Sequence, residues 1–275
     1  MEVKVLLCMC LLLHCTLHKS SFHGQLLFSN STSIMELDVD TLKMAVLVAY
    51  ETSYVYDMAY HNKYLYFQLR RSDYNAITRF QYPSKNQALQ TVVQTGVNTK
   101  GLAIDSANNH LYWSDNDNYT VSRCNLDGTH VTVLTTLTHP FVIRLDVTNR
   151  WMYIVESVSG ILKSRFDLAN QQTIVNFTSK PVYCMDIDTD EQRLYWIGRN
   201  GDIKSTKDDG SDVKTILSTN NIGEHYAIAV FGSYIYYSYL TQLLMVSKTP
   251  LSMPTVLYTD TSWIDCIFVF NQSSK

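Results

Sequence analysis

Glycine and proline are scarce in this chain, at 10 and 5 of 275 residues, which excludes collagen-like and linker-rich architectures. Excess positive charge is also missing. Twenty-two Lys and Arg face 25 Asp and Glu, a net charge of -3, so the chain lacks the basic face of a general nucleic-acid binder. There is no CxxC pair and no His/Cys spacing of the kind that holds zinc. Charged residues are only 17% against 46% apolar, which excludes a disordered chain. Long hydrophobic runs are absent, with one exception, Val5 to Leu13. That run is shorter than the ~20 residues a bilayer-spanning helix needs. It follows Lys4 and matches the n- and h-regions of a secretory signal, with a buried N-terminal strand as the competing reading. We expect a signal peptide over 1–20, a secreted product and no membrane insertion.

Loss of that segment removes Cys8, Cys10 and Cys15 and leaves Cys124, Cys184 and Cys266. An odd number cannot close a disulfide framework. Sequons at Asn30, Asn118, Asn176 and Asn271 fit a glycosylated, extracellular chain.

Tyrosine is plentiful, at 19 residues, about twice its usual share. It favours strands and half-buried surfaces, and here it recurs with a period. Leu111-Tyr112-Trp113-Ser114-Asp115 and Leu194-Tyr195-Trp196-Ile197-Gly198 are the clearest copies of an aromatic motif. Weaker copies centre on Tyr66, Tyr153 and Tyr236, and the weakest on Leu27. Successive spacings are 39, 46, 41, 42 and 41 residues. A short apolar segment lies upstream of five of these motifs, as in Leu102–Asp105, Ile143–Asp146 and Met185–Asp188. Downstream come an alternating strand, an Asp-Gly turn in the two clearest copies, and a further apolar segment. Four short strands in about 42 residues predict one blade of a β-propeller.

Six motifs have only five upstream segments in register. Leu27 has none before it, and the missing segment appears at the far end as Ile264 to Phe270. The expectation is an all-β, six-bladed propeller over 24–270, with a tail at 271–275. The C-terminal strand completes the first blade and removes exposed sheet edges. A Gly-His…Trp-Asp signature of WD40 repeats is absent.

These motifs resemble the YWTD, or class B, repeats of the LDL-receptor family, and the copy from Gly101 through Tyr112 to Gly128 is the most typical. The resemblance covers about residues 24 to 270. It implies a non-enzymatic module that binds an extracellular protein or peptide on the face formed by the loops leading into the inner strands. On that face the candidate ligand-binding residues are Glu51, Lys100, Phe141, Tyr183, Tyr226 and Trp263. Relatives that bind peptides often read Trp-x-Asn-Gly-Leu at one such loop; here the stretch is Pro181-Val182-Tyr183-Cys184-Met185.

Most other conspicuous residues have structural roles. The motif aromatics are expected to pack between blades, and Asp105, Asp146 and Asp188 to hold turn backbone. No Ser-His-Asp set can be assembled, and the carboxylates show no metal-ligand spacing, so no catalytic residue, metal or cofactor is expected. A monomer is expected. The competing readings are a calcium-dependent propeller hydrolase of the lactonase or esterase kind and a diverged receptor fragment with no retained ligand.

Overall fold

The computed structural model describes residues 24–271 except 52, 71–74, 84–87, 97 and 220–226. The expected signal segment 1–20 lies outside the described residues, as does Tyr226. Twenty-four strands form six four-stranded antiparallel sheets. Blade one contains β1 (Gly24–Ser29), β2 (Ser33–Asp38) and β3 (Met44–Ala49). Blade two runs β4 (Met58–His61), β5 (Tyr64–Arg70), β6 (Asn75–Gln81) and β7 (Gln90–Thr95). Blade three runs β8 (Thr99–Asp105), β9 (His110–Asp115), β10 (Thr120–Asn125) and β11 (Thr132–Thr136). Blade four is β12 (Pro140–Asp146), β13 (Trp151–Glu156), β14 (Gly160–Ser164) and β15 (Gln172–Asn176). Blade five is β16 (Met185–Asp188), β17 (Arg193–Ile197), β18 (Asp202–Lys207) and β19 (Lys214–Ser218). Blade six is β20 (Ile228–Phe231), β21 (Tyr234–Tyr239), β22 (Gln242–Ser247) and β23 (Thr255–Thr259).

The last strand, β24 (Cys266–Asn271), pairs with β1 from Gly24↔Asn271 to Ser29↔Cys266. Blade one is therefore ordered β24-β1-β2-β3, and the ring is closed by the C-terminal strand. Pairing extends one residue past the expected boundary, because Asn271 still has a ladder partner in Gly24. Asn271 thus belongs to the propeller and not to the tail.

The aromatic motifs lie on the second strand of each blade, where both sheet faces are covered by neighbouring blades. Tyr66, Tyr112, Tyr153, Tyr195 and Tyr236 are all at most 2% exposed. Their rings supply large apolar area, and buried hydroxyls need partners. The Tyr153 hydroxyl donates to Asp208 of blade five at 3.2 Å, and Lys163 Nζ donates to the same carboxylate at 2.9 Å. Tyr82 links blade two to blade one by donating to Gln25 Oε1 at 2.8 Å. Arg150 forks across to Asp105 at 2.7 and 2.8 Å, joining blades four and three. The Asp-Gly turns also seal neighbouring blades. Gly128 and Gly210 both have φ +86°, which an L side chain resists. A Cβ on either would run into the backbone carbonyl of the preceding blade, at Val92 and Ile174 respectively.

Asp105, Asp146 and Asp188 accept backbone amides of the turns they open, from Ala107, Asn149 and both Asp190 and Glu191. Cys124, Cys184 and Cys266 are buried free thiols. Burial pushes the Cys124 and Cys184 thiols up to about 12, so they behave as core side chains rather than nucleophiles.

Candidate binding face and channel

Strand register decides which side chains meet at the channel mouth. On each inner strand, one residue lies opposite the third residue of the Leu-Tyr-Trp motif: Met58↔Phe67, Leu102↔Trp113, Ile143↔Ile154, Met185↔Trp196, Ile228↔Tyr237 and Ile267↔Phe28. Two residues earlier stand Tyr56, Lys100, Phe141, Tyr183, Tyr226 and Asp265. The equivalent of Phe141 and Tyr183 in blade one is therefore Asp265, not Trp263. In blade two it is Tyr56, not Glu51. Trp263 and Glu51 belong to the lead-in loops, further out from the inner strands. Counting back from Met58 and Ile267 would have found both missed residues. Loop lengths before the inner strand vary, so alignment on the loops misassigned them.

The described mouth residues touch one another. Tyr54 and Tyr56 stack at 5.9 Å between centroids, Tyr56 meets the edge of Phe141 at 6.3 Å, and Phe141 meets Tyr183 at 5.0 Å. Lys100 lies between them, its ammonium 3.3 Å from the Tyr56 centroid and 5.4 Å from that of Phe141, a cation–π arrangement. Phe141 and Lys100 are buried. Phe141, a candidate ligand-binding residue, is thus packed between Tyr56 and Tyr183 and supports its neighbours. The exposed rings are Tyr54, at 44%, and Trp263, at 48%. Glu51 is exposed and Tyr183 half-buried. Blade three fixes this rim from behind. Ser114 Oγ donates to the Phe141 carbonyl at 2.7 Å and accepts from the Gly101 amide at 2.8 Å.

Two charged groups at the mouth are perturbed. Burial pushes the Lys100 ammonium down to about 8, opposed by Asp117 and Asp265. Burial pushes the Asp265 carboxyl up to about 7, opposed by Lys100. Asp265 is 3% exposed, and its buried Oδ2 has no hydrogen-bond partner among the described residues. Between the ordinary carboxylate range and pH 7, folded Asp265 keeps a proton that the unfolded chain has released. Its contribution therefore lowers stability as pH rises through that window. Asp265→Asn should stabilise the fold at pH 8 by about 1 kcal/mol or more, the scale of an unsatisfied buried polar group. The gain should shrink toward pH 4. Urea unfolding of both chains across pH 4–8 checks this; parallel curves would show that Asp265 is not desolvated.

Below the mouth, three charged groups from three blades cross the channel. Arg144 Nη1 donates to Asp57 Oδ2 at 2.7 Å, and Arg144 Nε to Asp186 Oδ1 at 3.0 Å. Asp57 Oδ2 also accepts the Leu102 amide at 3.0 Å, and Asp186 Oδ2 the Val230 amide at 2.8 Å. Burial raises both carboxyls, against the pull of Arg144. Among the described residues, no group of three or more His, Cys, Asp or Glu side chains is placed to hold a metal ion.

The sequons differ in setting. Asn118 and Asn176 are exposed, in the β9–β10 turn and at the end of β15, on the mouth side. Asn118 Nδ2 donates to Asp115 at 2.9 Å. Asn30 departs from the expected acceptor: it is 5% exposed, its Nδ2 donates to Asp260 at 3.0 Å, and its Oδ1 accepts the amides of Thr32 and Ser33. It is a turn residue, held from both ends of its amide. The side chain of Asn271 lies outside the described residues.

Sheets, motifs and closure define a six-bladed β-propeller of the YWTD type. At the sequence level the chain is homologous to a vitellogenin receptor from Solenopsis invicta, 29% identical over 219 residues. The match takes in 78% of this chain and 12% of the receptor, so the chain spans a small part of that relative. No family model matches the chain. Among solved structures, a chain in a nidogen/laminin complex superposes with a TM-score of 0.79 at 15% identity, over 90% of this chain and 98% of that one. TolB from Acinetobacter baumannii superposes at 0.72 with 10% identity, over 89% and 66% respectively. Both likenesses concern the fold.

Proposed function

We propose that this chain is an extracellular, monomeric binding module that takes a protein or peptide at the channel mouth and catalyses no reaction. The observation that carries the reading is the continuous aromatic rim Tyr54–Tyr56–Phe141–Tyr183 with Lys100 seated on it. Tyr54 and Trp263 are exposed, and large aromatics at a rim are typical anchors of protein interfaces. The receptor relative supports a binding role and an extracellular setting. A calcium-dependent hydrolase would need about six to eight oxygen ligands converging on the channel, and the crossing brings together two carboxylates, Asp57 and Asp186, around one arginine.

Affinity capture from extracellular fluid with the secreted protein tests the reading. A partner captured by the native chain should be weakened about tenfold or more by Tyr54→Ala or Trp263→Ala, since each such anchor can contribute about 2 kcal/mol. Val131→Ala, exposed on the opposite face, should change nothing. Equal affinity for all three variants would move the site off the mouth.

A further inference from the structure

Beyond the Arg144 crossing, on the side away from the mouth, the channel widens into a cavity of about 260 Å³. It is lined by the second halves of the inner strands. Alanines stand opposite the motif tyrosine in three blades, Ala59, Ala103 and Ala229, and their small side chains leave the space. Leu145 and Phe268 contribute apolar wall. The only charged residues lining the cavity are Arg144 and Asp186, at its inner end.

The charges at that end do not balance. Two carboxylates, Asp57 and Asp186, share one guanidinium. These three groups therefore carry one formal excess negative charge. The two carboxylates are not equally reachable. The Asp57 side chain is 4% exposed and that of Asp186 is 20% exposed, and Asp186 is the one that faces the cavity. A carboxylate at the end of a cavity walled in part by apolar side chains attracts a cation whose own body can lie against them. An anion would meet the excess negative charge, and a neutral molecule would leave it uncompensated.

We propose that this cavity is a binding site for a small organic cation, an aliphatic ammonium group whose charged head reaches Asp186 and whose apolar body lies against Ala59, Ala103, Ala229 and Phe268. The site opens on the face opposite the proposed partner-binding mouth, so the two can be occupied independently. A body of about six carbons suits a cavity of this size.

The probes are hexylammonium, hexanol and hexanoate, titrated into the full secreted chain and read by calorimetry and by the shift in melting temperature. Hexylammonium should bind at least tenfold more tightly than hexanol, and hexanoate more weakly still. Asp186→Asn removes the excess charge while leaving Arg144 paired with Asp57. It should weaken hexylammonium at least tenfold and leave hexanol unchanged. Ala103→Leu fills the cavity and should abolish binding of all three, which keeps the test open if Asp186→Asn does not fold. Hexanoate binding as well as hexylammonium, hexylammonium affinity unchanged by either substitution, or no hexylammonium binding at all would overturn the proposal. Tyr54→Ala and Trp263→Ala, which test the mouth, should leave hexylammonium binding untouched.

Discussion

A chain truncated before Ile264 is expected to lose cooperative folding. The missing residues carry β24, the inner strand of blade one, with ladder pairs to every residue of β1. Phe270 and Cys266 sit in one buried cluster with Leu27, Met58 and Phe67, and Ile264 and Ile267 in another with Leu26, Phe28 and Tyr236. Those clusters are the seams between blade one and its two neighbours. Burying Ile264, Ile267 and Phe270 alone is worth roughly 5–9 kcal/mol at 1.5–3 kcal/mol per side chain. That is comparable to the whole stability of a typical domain, about 5–15 kcal/mol. Truncation would also bare one edge of β1, which ring closure otherwise protects, while its other edge stays paired with β2. Thermal melting followed by circular dichroism checks the result. A synthetic peptide spanning 264–275 should restore part of the transition by adding the strand back. A truncated chain that melts at the native temperature would rule out closure by this strand.

Arg144→Met is expected to be the most damaging single substitution in the channel. The guanidinium is the only side-chain donor to Asp57 and Asp186 among their described hydrogen bonds. Without it, two carboxylates, from blades two and five on opposite sides of the ring, are left without a cation between them. Removing one partner of a buried ion pair costs about 3–5 kcal/mol, because the charge left behind is uncompensated. The sign of the pH dependence follows. Both carboxyls are already raised by burial in the native chain, and loss of Arg144 raises them further. Folded variant then holds protons that the unfolded chain releases above the ordinary carboxylate range, so its stability rises as the pH is lowered from 7 toward 5. Adding Asp57→Asn and Asp186→Asn to Arg144→Met should recover much of the loss at pH 7. Urea unfolding of the single and triple variants measures both effects. A loss below about 1 kcal/mol for Arg144→Met would show that the channel is well hydrated and that its charges are screened.

Much of the fold was legible in the chain because a propeller writes its architecture locally. Every blade but the first is completed within about 42 residues, and the buried second strand must carry large apolar side chains whatever the rest of the sequence does. Tyr112-Trp113 and Tyr195-Trp196 therefore announce themselves, and the unmatched Leu27 strand points to Ile264–Phe270. The closing strand was readable for the same reason, as one segment too many at one end and one too few at the other.

The mouth was only half legible. Lys100, Phe141 and Tyr183 stand two residues before the register position of their inner strands, and Tyr56 and Asp265, which no motif singled out, stand at the same position. Side-chain exposure at the rim depends on which rings from other blades arrive beside it, and a single repeat holds no record of that. The channel charges lie further still from local reading. Asp57, Arg144 and Asp186 are separated by 87 and 42 residues, and no spacing rule joins them.

The sequence by itself determined the blade count, the strand order within each blade and the place where the ring closes, because hydrophobic period and turn chemistry act between residues a few positions apart. Tertiary structure alone decided that Lys100 rests on Tyr56, that Asp265 is left with an oxygen unpartnered among the described residues, and that one arginine serves two aspartates. Those outcomes arise where six inner strands converge on a common axis. There, desolvation and Coulomb attraction depend on distance through space, and separation along the chain has no bearing on them.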